Sequence, residues 1–534
     1  MKHGKNSPSF VPSSPFYQGP FGRLFPSLPG WVPNNAQGLP MREHELDAHF
    51  LDFANTQMIE APGVTPQDIA GNNDEIARLD AAFGAEKTPA GYTYFGQFVD
   101  HDITFDPASS LVRQNDPEKL KNFRTPRLDL DNVYGRGPDD QPYLYDHADK
   151  GKFNIGQIEN SPLLDLPRTN RRDAQGNPIG RAIIGDPRND ENSIVCQVQL
   201  AFLLAHNTLV DRAKKLGIRE DSRFDEARRA LTWLYQWIVW NDFLKRIVDP
   251  NIHSAALKLA TTPDGRHKWE LGLEDIFSWR NQPFMPVEFS GAAYRFGHSM
   301  VRNSYQTNQP HQGFGNFIPI FNNTGDPATV DLRGFRPLTE QNYIQWDWFL
   351  PMTSSSGPFP QLARRIDTKL CNALAFLHER PMPSPMNILP YLNLKRGWSL
   401  GLPSGPEVAK KLGLPITPLG TWTNSNDVEV PEPESLWFYI LKEAEAIDGD
   451  RMGPLGSIIL CSTFAGLLKG DPNSFMNLDP NWNPDDESLL NAAVDRKDSG
   501  DDWELSSIIR LSGLPIDFSN EDIVHRAALG ATIS

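Results

Sequence analysis

Cysteine is nearly absent. The 534 residues hold only 3, and Cys196, Cys371 and Cys461 each fall in an apolar, helix-like stretch. They form no disulfide framework and read as small buried hydrophobes. Basic runs are missing too. With 51 Lys and Arg against 67 Asp and Glu the net charge is −16, and without a basic stripe the chain offers no nucleic-acid surface. The opening MKHGKNSPSFVPSSPFYQGP lacks the continuous apolar core of a signal peptide. The longest apolar stretch, around Ile458 to Leu468, is too short and interrupted to span a bilayer. Repeats, low-complexity tracts and long alternating strand patterns are absent. These absences lead us to expect a soluble protein kept dispersed by its charge. Its expected compartment is the cytoplasm, with export by a non-classical route left open.

What is present is enough apolar material for a large core: 39% hydrophobic residues and 10% aromatics. The length exceeds what one compact core usually holds, but a single large helical domain accommodates it. Residues 1–45 are rich in Pro, Gly, Ser and aromatics without a helical period, and read as an extended arm laid over the body. Residues 46–534 are expected to form the main domain. Four segments carry helical spacing: SIVCQVQLAFLLAHNTLVDRAKK from Ser193, FDEARRALTWLYQWIVWNDFLKRIV from Phe224, PVEFSGAAYRFGHSMVR from Pro286, and GSIILCSTFAGLLKGD from Gly456. The second is apolar almost all round, as a central core helix is. The fold class expected is mainly α with few short strands.

Five clusters carry the chemistry. In YFGQFVDHDITF, Gln97 and His101 lie one above the other on a helix, Asp100 borders that face, and Asp102 is turned about 100° away. Taken alone, such an Asp-His-Asp is more often a solvated turn than a site. IIGDPRNDENS sets Arg188 just before a strong helix that Glu191 and Asn192 open, where acidic residues would complement the dipole in any case. YRFGHSMVRNSY places His298 after a glycine among apolar residues, an arrangement also common for a structural core histidine. LPYLNLKRG supplies Asn393 and Arg396. TPRLDLDNVYG spaces Thr125, Arg127, Asp129 and Asp131 as a turn entry or as oxygen ligands for a hard cation.

In this order the clusters resemble the peroxidase-cyclooxygenase superfamily, the haem peroxidases of the animal myeloperoxidase and thyroid peroxidase type, including bacterial members. The resemblance runs from about Tyr94 to Phe475. It implies a haem peroxidase catalytic domain over residues 46–534, with haem b and calcium as cofactors. It makes His298 the proximal iron ligand and Asn393 the partner that fixes its tautomer. His101 is implied as the distal acid–base, Arg188 as the distal cation, and Gln97 as the residue ordering water or a small anion. Arg295 and Arg396 match arginines near the haem propionates. Asp100 and Glu191 match carboxylates that form ester links to haem, while Asn192 stands where myeloperoxidase forms a third link through methionine. Calcium is implied at Asp102, Thr125, the Arg127 carbonyl, Asp129 and Asp131. The last of these positions is often serine in the family.

The activity implied is reduction of hydrogen peroxide, with a ferryl intermediate oxidising small donors: phenols, iodide, bromide and thiocyanate, and chloride poorly. Two other readings stand beside it. A fatty-acid oxygenase on the same fold needs a tyrosine three positions before the proximal histidine, where this chain has Arg295 and carries Tyr294 one residue earlier. A non-enzymatic haem or adhesion protein would not require Gln97, His101, Arg188, His298 and Asn393 together.

Overall fold

The computed structural model describes residues 19–518 except 36, 65, 70–71, 106–120, 177–178, 280–282, 310–316, 322–329, 353–358, 378–385 and 497–501. Among the described residues, nine helices of eight or more residues build the body. They are α1 (Glu43–Gln57), α2 (Asn73–Phe83), α3 (Gly91–Ile103), α4 (Ser193–Lys215), α5 (Glu220–Ile238), α6 (Leu389–Ser399), α7 (Leu436–Glu445), α8 (Pro454–Gly470) and α9 (Leu505–Ser512). The strands between them are short, two to six residues each, as the sequence suggested, and among the described residues none closes a barrel.

α4 is the axis. It packs along α3, α5 and α9, and most of its side chains are buried, Gln197, Gln199 and His206 among them. By length and composition alone it could cross a membrane, but 83% of its most apolar window is buried inside the molecule. The side chain of Asn192 accepts from the N–H groups of Ile194 and Val195 and so caps the helix. Such a cap contributes about 1 kcal/mol. Cys196, Cys371 and Cys461 are buried and free, as the sequence indicated.

α3 is held by its aromatic residues. Phe98 stacks on Phe202 of α4 with centroids 4.5 Å apart, and Phe95 meets Phe243 edge-on at 5.6 Å. Phe243 lies in a π-turn, Val239–Leu244, that interrupts the helix read through from Phe224. α3 ends where Thr104 turns to extended backbone.

The segment from Pro286 departs from the continuous helix expected. A short helix, Val287–Gly291, breaks at Ala292, and a tighter 3₁₀ turn, Ala293–His298, follows. Around the break, Tyr294 stacks on Phe289 at 4.7 Å and meets Phe464 of α8 edge-on. Packing against α8 thus overrides the helical period. The described part of the arm also joins the body. Gly19–Gly22 is the middle strand of a three-stranded sheet, between Lys121–Asn122 and Met285–Pro286. Beyond it, the N–H groups of Leu24 and Phe25 donate to the buried Glu288 carboxylate.

Phe98 is fully buried beneath the face that carries His101. Phe98→Ala is expected to cost about 3–5 kcal/mol, the range for truncating a core aromatic. Urea unfolding measures it, and an unchanged midpoint would contradict this account of how α3 is held.

Candidate active site

Two elements face each other across the site. α3 brings Gln97, Asp100, His101 and Asp102; the 3₁₀ turn brings Arg295 and His298. They meet where the Tyr294 hydroxyl donates to the Gly96 carbonyl at 3.1 Å. Gln97, Asp100, Arg188, Glu191, Arg295, His298 and Arg396 all keep partial exposure although helices enclose them. A Cβ placed on Gly297, beside His298, would meet nothing within 4 Å.

His101 is buried, and its Nδ1 lies 2.7 Å from Asn189 Oδ1. The Asn189 amide in turn donates to Gln199 Oε1 at 2.7 Å. In this orientation Nδ1 carries the proton and Nε2 is the basic nitrogen. Burial, followed by the charge of Arg188, pushes the His101 pKa down to about 4. Nε2 lies 3.8 Å from Glu191 Oε2, which also accepts from Gln97 Nε2 at 3.3 Å. Asn192 donates to Gln97 Oε1 at 2.9 Å. The face formed by Gln97 and His101 thus converges on the start of α4.

Arg188 is held from behind. Its Nη2 donates to the His101 carbonyl at 3.0 Å and to Asp186 at 2.8 Å. Its Nε donates to Asp186 at 3.1 Å, and the guanidinium lies over the Phe105 ring. Arg188 and Arg124 together keep the Asp186 carboxylate well below its usual pKa despite burial.

On the other side, His298 Nδ1 contacts the Asn393 amide at 2.9 Å. Burial, with Arg295, pushes the His298 pKa down to about 3, so the ring is neutral as a metal ligand must be. The amide nitrogen faces Nδ1 as placed, and Asn393 Oδ1 faces Arg295 at 3.4 Å. Iron ligation through Nε2 requires the proton on Nδ1. That calls for the amide turned over, which exchanges O and N and gives up the long bond from Arg295. The residues therefore fit a haem: a neutral imidazole with an amide partner, open space beside it, and cationic side chains near by. Arg295 also donates to the Ser290 carbonyl, and Arg396 lies in the last turn of α6.

Asp102 points away from this space. With Asp129 and Asp131 it offers carboxylate oxygens all within 4.8 Å of one another. Asp102 is 0% and Asp131 2% exposed, and one oxygen of each accepts no hydrogen bond. Burial and mutual repulsion raise the Asp102 pKa well above normal, and burial raises that of Asp131 to about 8. Leu130, between the other two acids, sits in the left-handed region at φ 56° and presents its N–H to Asp102 Oδ2 at 3.3 Å. That conformation costs a non-glycine residue about 1–2 kcal/mol, and it lets both flanking carboxylates converge. Thr125 donates to Asp129 Oδ2 at 2.8 Å, and the Arg127 side chain turns toward Asp471. Buried carboxyl groups this close, kept from ionising together by burial and mutual repulsion, fit a hard cation that would take their charge.

Sequence reading missed Asn189, Gln199, Asp186 and Arg124. Two of them had a signal: Asp186 lies inside the Gly-Asp-x-Arg motif, and Gln199 is an amide within an otherwise apolar helix.

The animal haem peroxidase family model matches residues 109–418. The chain belongs to that family. The matched span contains the Asp129 loop, Arg188, His298 and Asn393, while α3 with His101 precedes it. The chorion peroxidase of Drosophila melanogaster is 27% identical over 320 residues, 57% of this chain and 36% of its own length. The peroxidasin homolog pxn-2 of Caenorhabditis elegans is 24% identical over 383 residues, 66% of this chain and 26% of its own length. The chain thus spans well under two thirds of these relatives. Peroxidase A from Dictyostelium discoideum shares the fold, with TM-score 0.55 and 15% identity over 96% of both chains.

Proposed function

We propose that this chain is a haem peroxidase that reduces hydrogen peroxide and oxidises small donors, with calcium bracing its distal helix. The observation that carries this reading is His298, its Nδ1 on Asn393, set on a turn that packs against the helix of His101 where Tyr294 bonds Gly96. Bound there through His298 Nε2, haem iron would accept the oxidising equivalents of peroxide and pass them to donors. Arg295 and Arg396 would face its propionates, and Asp100 and Glu191 would be the carboxylates able to esterify it.

The chain's own groups handle protons and charge. His101 Nε2, unprotonated at neutral pH, takes the proton from the peroxide oxygen that stays and returns it to the oxygen that leaves as water. Arg188, fixed by Asp186, sets a positive charge where negative charge develops as the O–O bond breaks. Gln97, oriented by Asn192 and Glu191, orders water or a small anion beside them. Such a polar, cationic pocket suits phenols, iodide, bromide and thiocyanate. Three positions before His298 stands Arg295, and the neighbouring Tyr294 hydroxyl is engaged by Gly96. This favours peroxidation over fatty-acid oxygenation.

The test is a donor panel with peroxide, run beside oxygen uptake with linoleic acid on wild-type and His298→Ala protein. Donor turnover and a Soret band in wild type, both lost in His298→Ala, are expected. Peroxide-independent oxygen uptake without donor turnover would reverse the reading.

His101→Ala should slow the reaction with peroxide by about a hundred- to ten-thousand-fold while haem stays bound. In wild type the rate should stay level from pH 7 downward and fall as pH drops through about 4, where His101 gains its proton. Stopped-flow mixing reads both effects, and a rate that halves near pH 6.5 would assign the base elsewhere.

Metal analysis should find calcium in the purified protein. A chelator should lower its melting temperature, and Asp102→Asn should lower calcium content and stability together. Full stability and activity in a metal-free protein would remove the ion from this account.

A further inference from the structure

Arg124 belongs to neither the peroxide pocket nor the carboxylate cluster, yet it contacts Asp131 of the cluster and Asp186, the residue that holds Arg188. Its side chain is 13% exposed. On one side Nη1 lies 3.2 Å from Asp131 Oδ1. The contact is an ion pair without hydrogen-bond geometry, since that oxygen accepts no hydrogen bond. On the other side Nε donates to Asp186 Oδ2 at 3.0 Å, and Nη2 bonds the same oxygen. Asp186 also holds Arg188, through Nε at 3.1 Å, Nη2 at 2.8 Å and the backbone N–H at 2.9 Å. Arg188 reaches the carbonyl of His101, whose neighbour Asp102 returns to the cluster. The contacts close a ring: Asp131, Arg124, Asp186, Arg188, His101, Asp102.

Within that ring two guanidiniums share one carboxylate, and one of them has a second anion to turn to. We propose that Arg124 is a positioning residue that makes the distal arginine respond to occupancy of the cation site. A divalent cation at Asp131 would neutralise that second anion and repel Arg124. Arg124 would then lean on Asp186 and compete with Arg188 for its oxygens, leaving Arg188 freer to direct its charge into the pocket. Without the cation, Arg124 would be shared with Asp131, and Asp186 would hold Arg188 more tightly. This rests on the haem peroxidase reading above.

The test uses full-length, haem-loaded ferric protein and inorganic fluoride, a small anion that takes a hydrogen bond from a distal guanidinium when bound to iron. Fluoride affinity is titrated by the Soret band with calcium present and after chelation. In wild type, chelation is expected to weaken fluoride binding about tenfold, within the usual range of coupling between sites. Arg124→Met should bind fluoride as weakly as chelated wild type, and chelation should then change it less than about twofold. Arg124→Lys keeps the charge but not the fork, and should show an intermediate response. It carries the test if the methionine variant does not fold. Wild-type affinity and an undiminished chelator response in either variant would overturn the proposal. So would a wild-type affinity that ignores the chelator, and that outcome would leave the peroxidase reading standing. A wild-type protein that takes up no haem would sink both.

Discussion

Everything in the site depends on burying Asp102 next to His101. One residue apart on α3, they face different surroundings: an imidazole toward a space that must stay polar, and a carboxylate toward a packed interior. A lone buried carboxylate is costly, and here two more lie within reach. The structure meets that cost with positive charge from Arg124, with a strained loop that turns an N–H toward Asp102, and with a geometry suited to a hard cation. The rotation of α3, and hence the aim of His101, is set by this anchoring as much as by the aromatic packing of Phe95 and Phe98.

The two histidines show how one physical cause serves two tasks. Burial lowers both pKa values, so both rings are neutral near pH 7. Their partners then separate them. His101 leans on Asn189, which Gln199 orients, leaving Nε2 toward Glu191. His298 leans on Asn393, with Arg295 on the far side of the amide. In each case a side-chain amide, which does not titrate, selects the tautomer, so the arrangement does not depend on the charge state of a neighbouring carboxylate.

Much of this was legible in the chain itself. The apolar run from Ser193, the all-round apolar stretch after Phe224 and the segment ending at Gly-Asp-Pro became α4, α5 and α8, because periodicity reports what a surrounded helix needs. The local motifs were legible for the same reason: i, i+4 spacing put Gln97 and His101 on one face and turned Asp102 off it. Three features were not legible, since each depends on residues far away in sequence. Packing on Phe464 breaks the helix before His298. The π-turn at Val239–Leu244 brings Phe243 to α3. The partners of Arg188 and His101 involve Arg124, Asn189 and Gln199, which no single motif joins.

The strand Gly19–Gly22 carries a consequence for how such a chain is made. It is the middle strand of its small sheet, and its neighbours lie about one hundred and more than two hundred and sixty residues further along. The first described residues to leave the ribosome are therefore among the last to find their places. Gly19 and Pro20 can pair once Lys121–Asn122 has been made, but Phe21 and Gly22 wait for Met285–Pro286, just ahead of the His298 turn. Contacts this distant in sequence are slow to form, so completion of the three-stranded sheet waits on the segment that leads into the His298 turn.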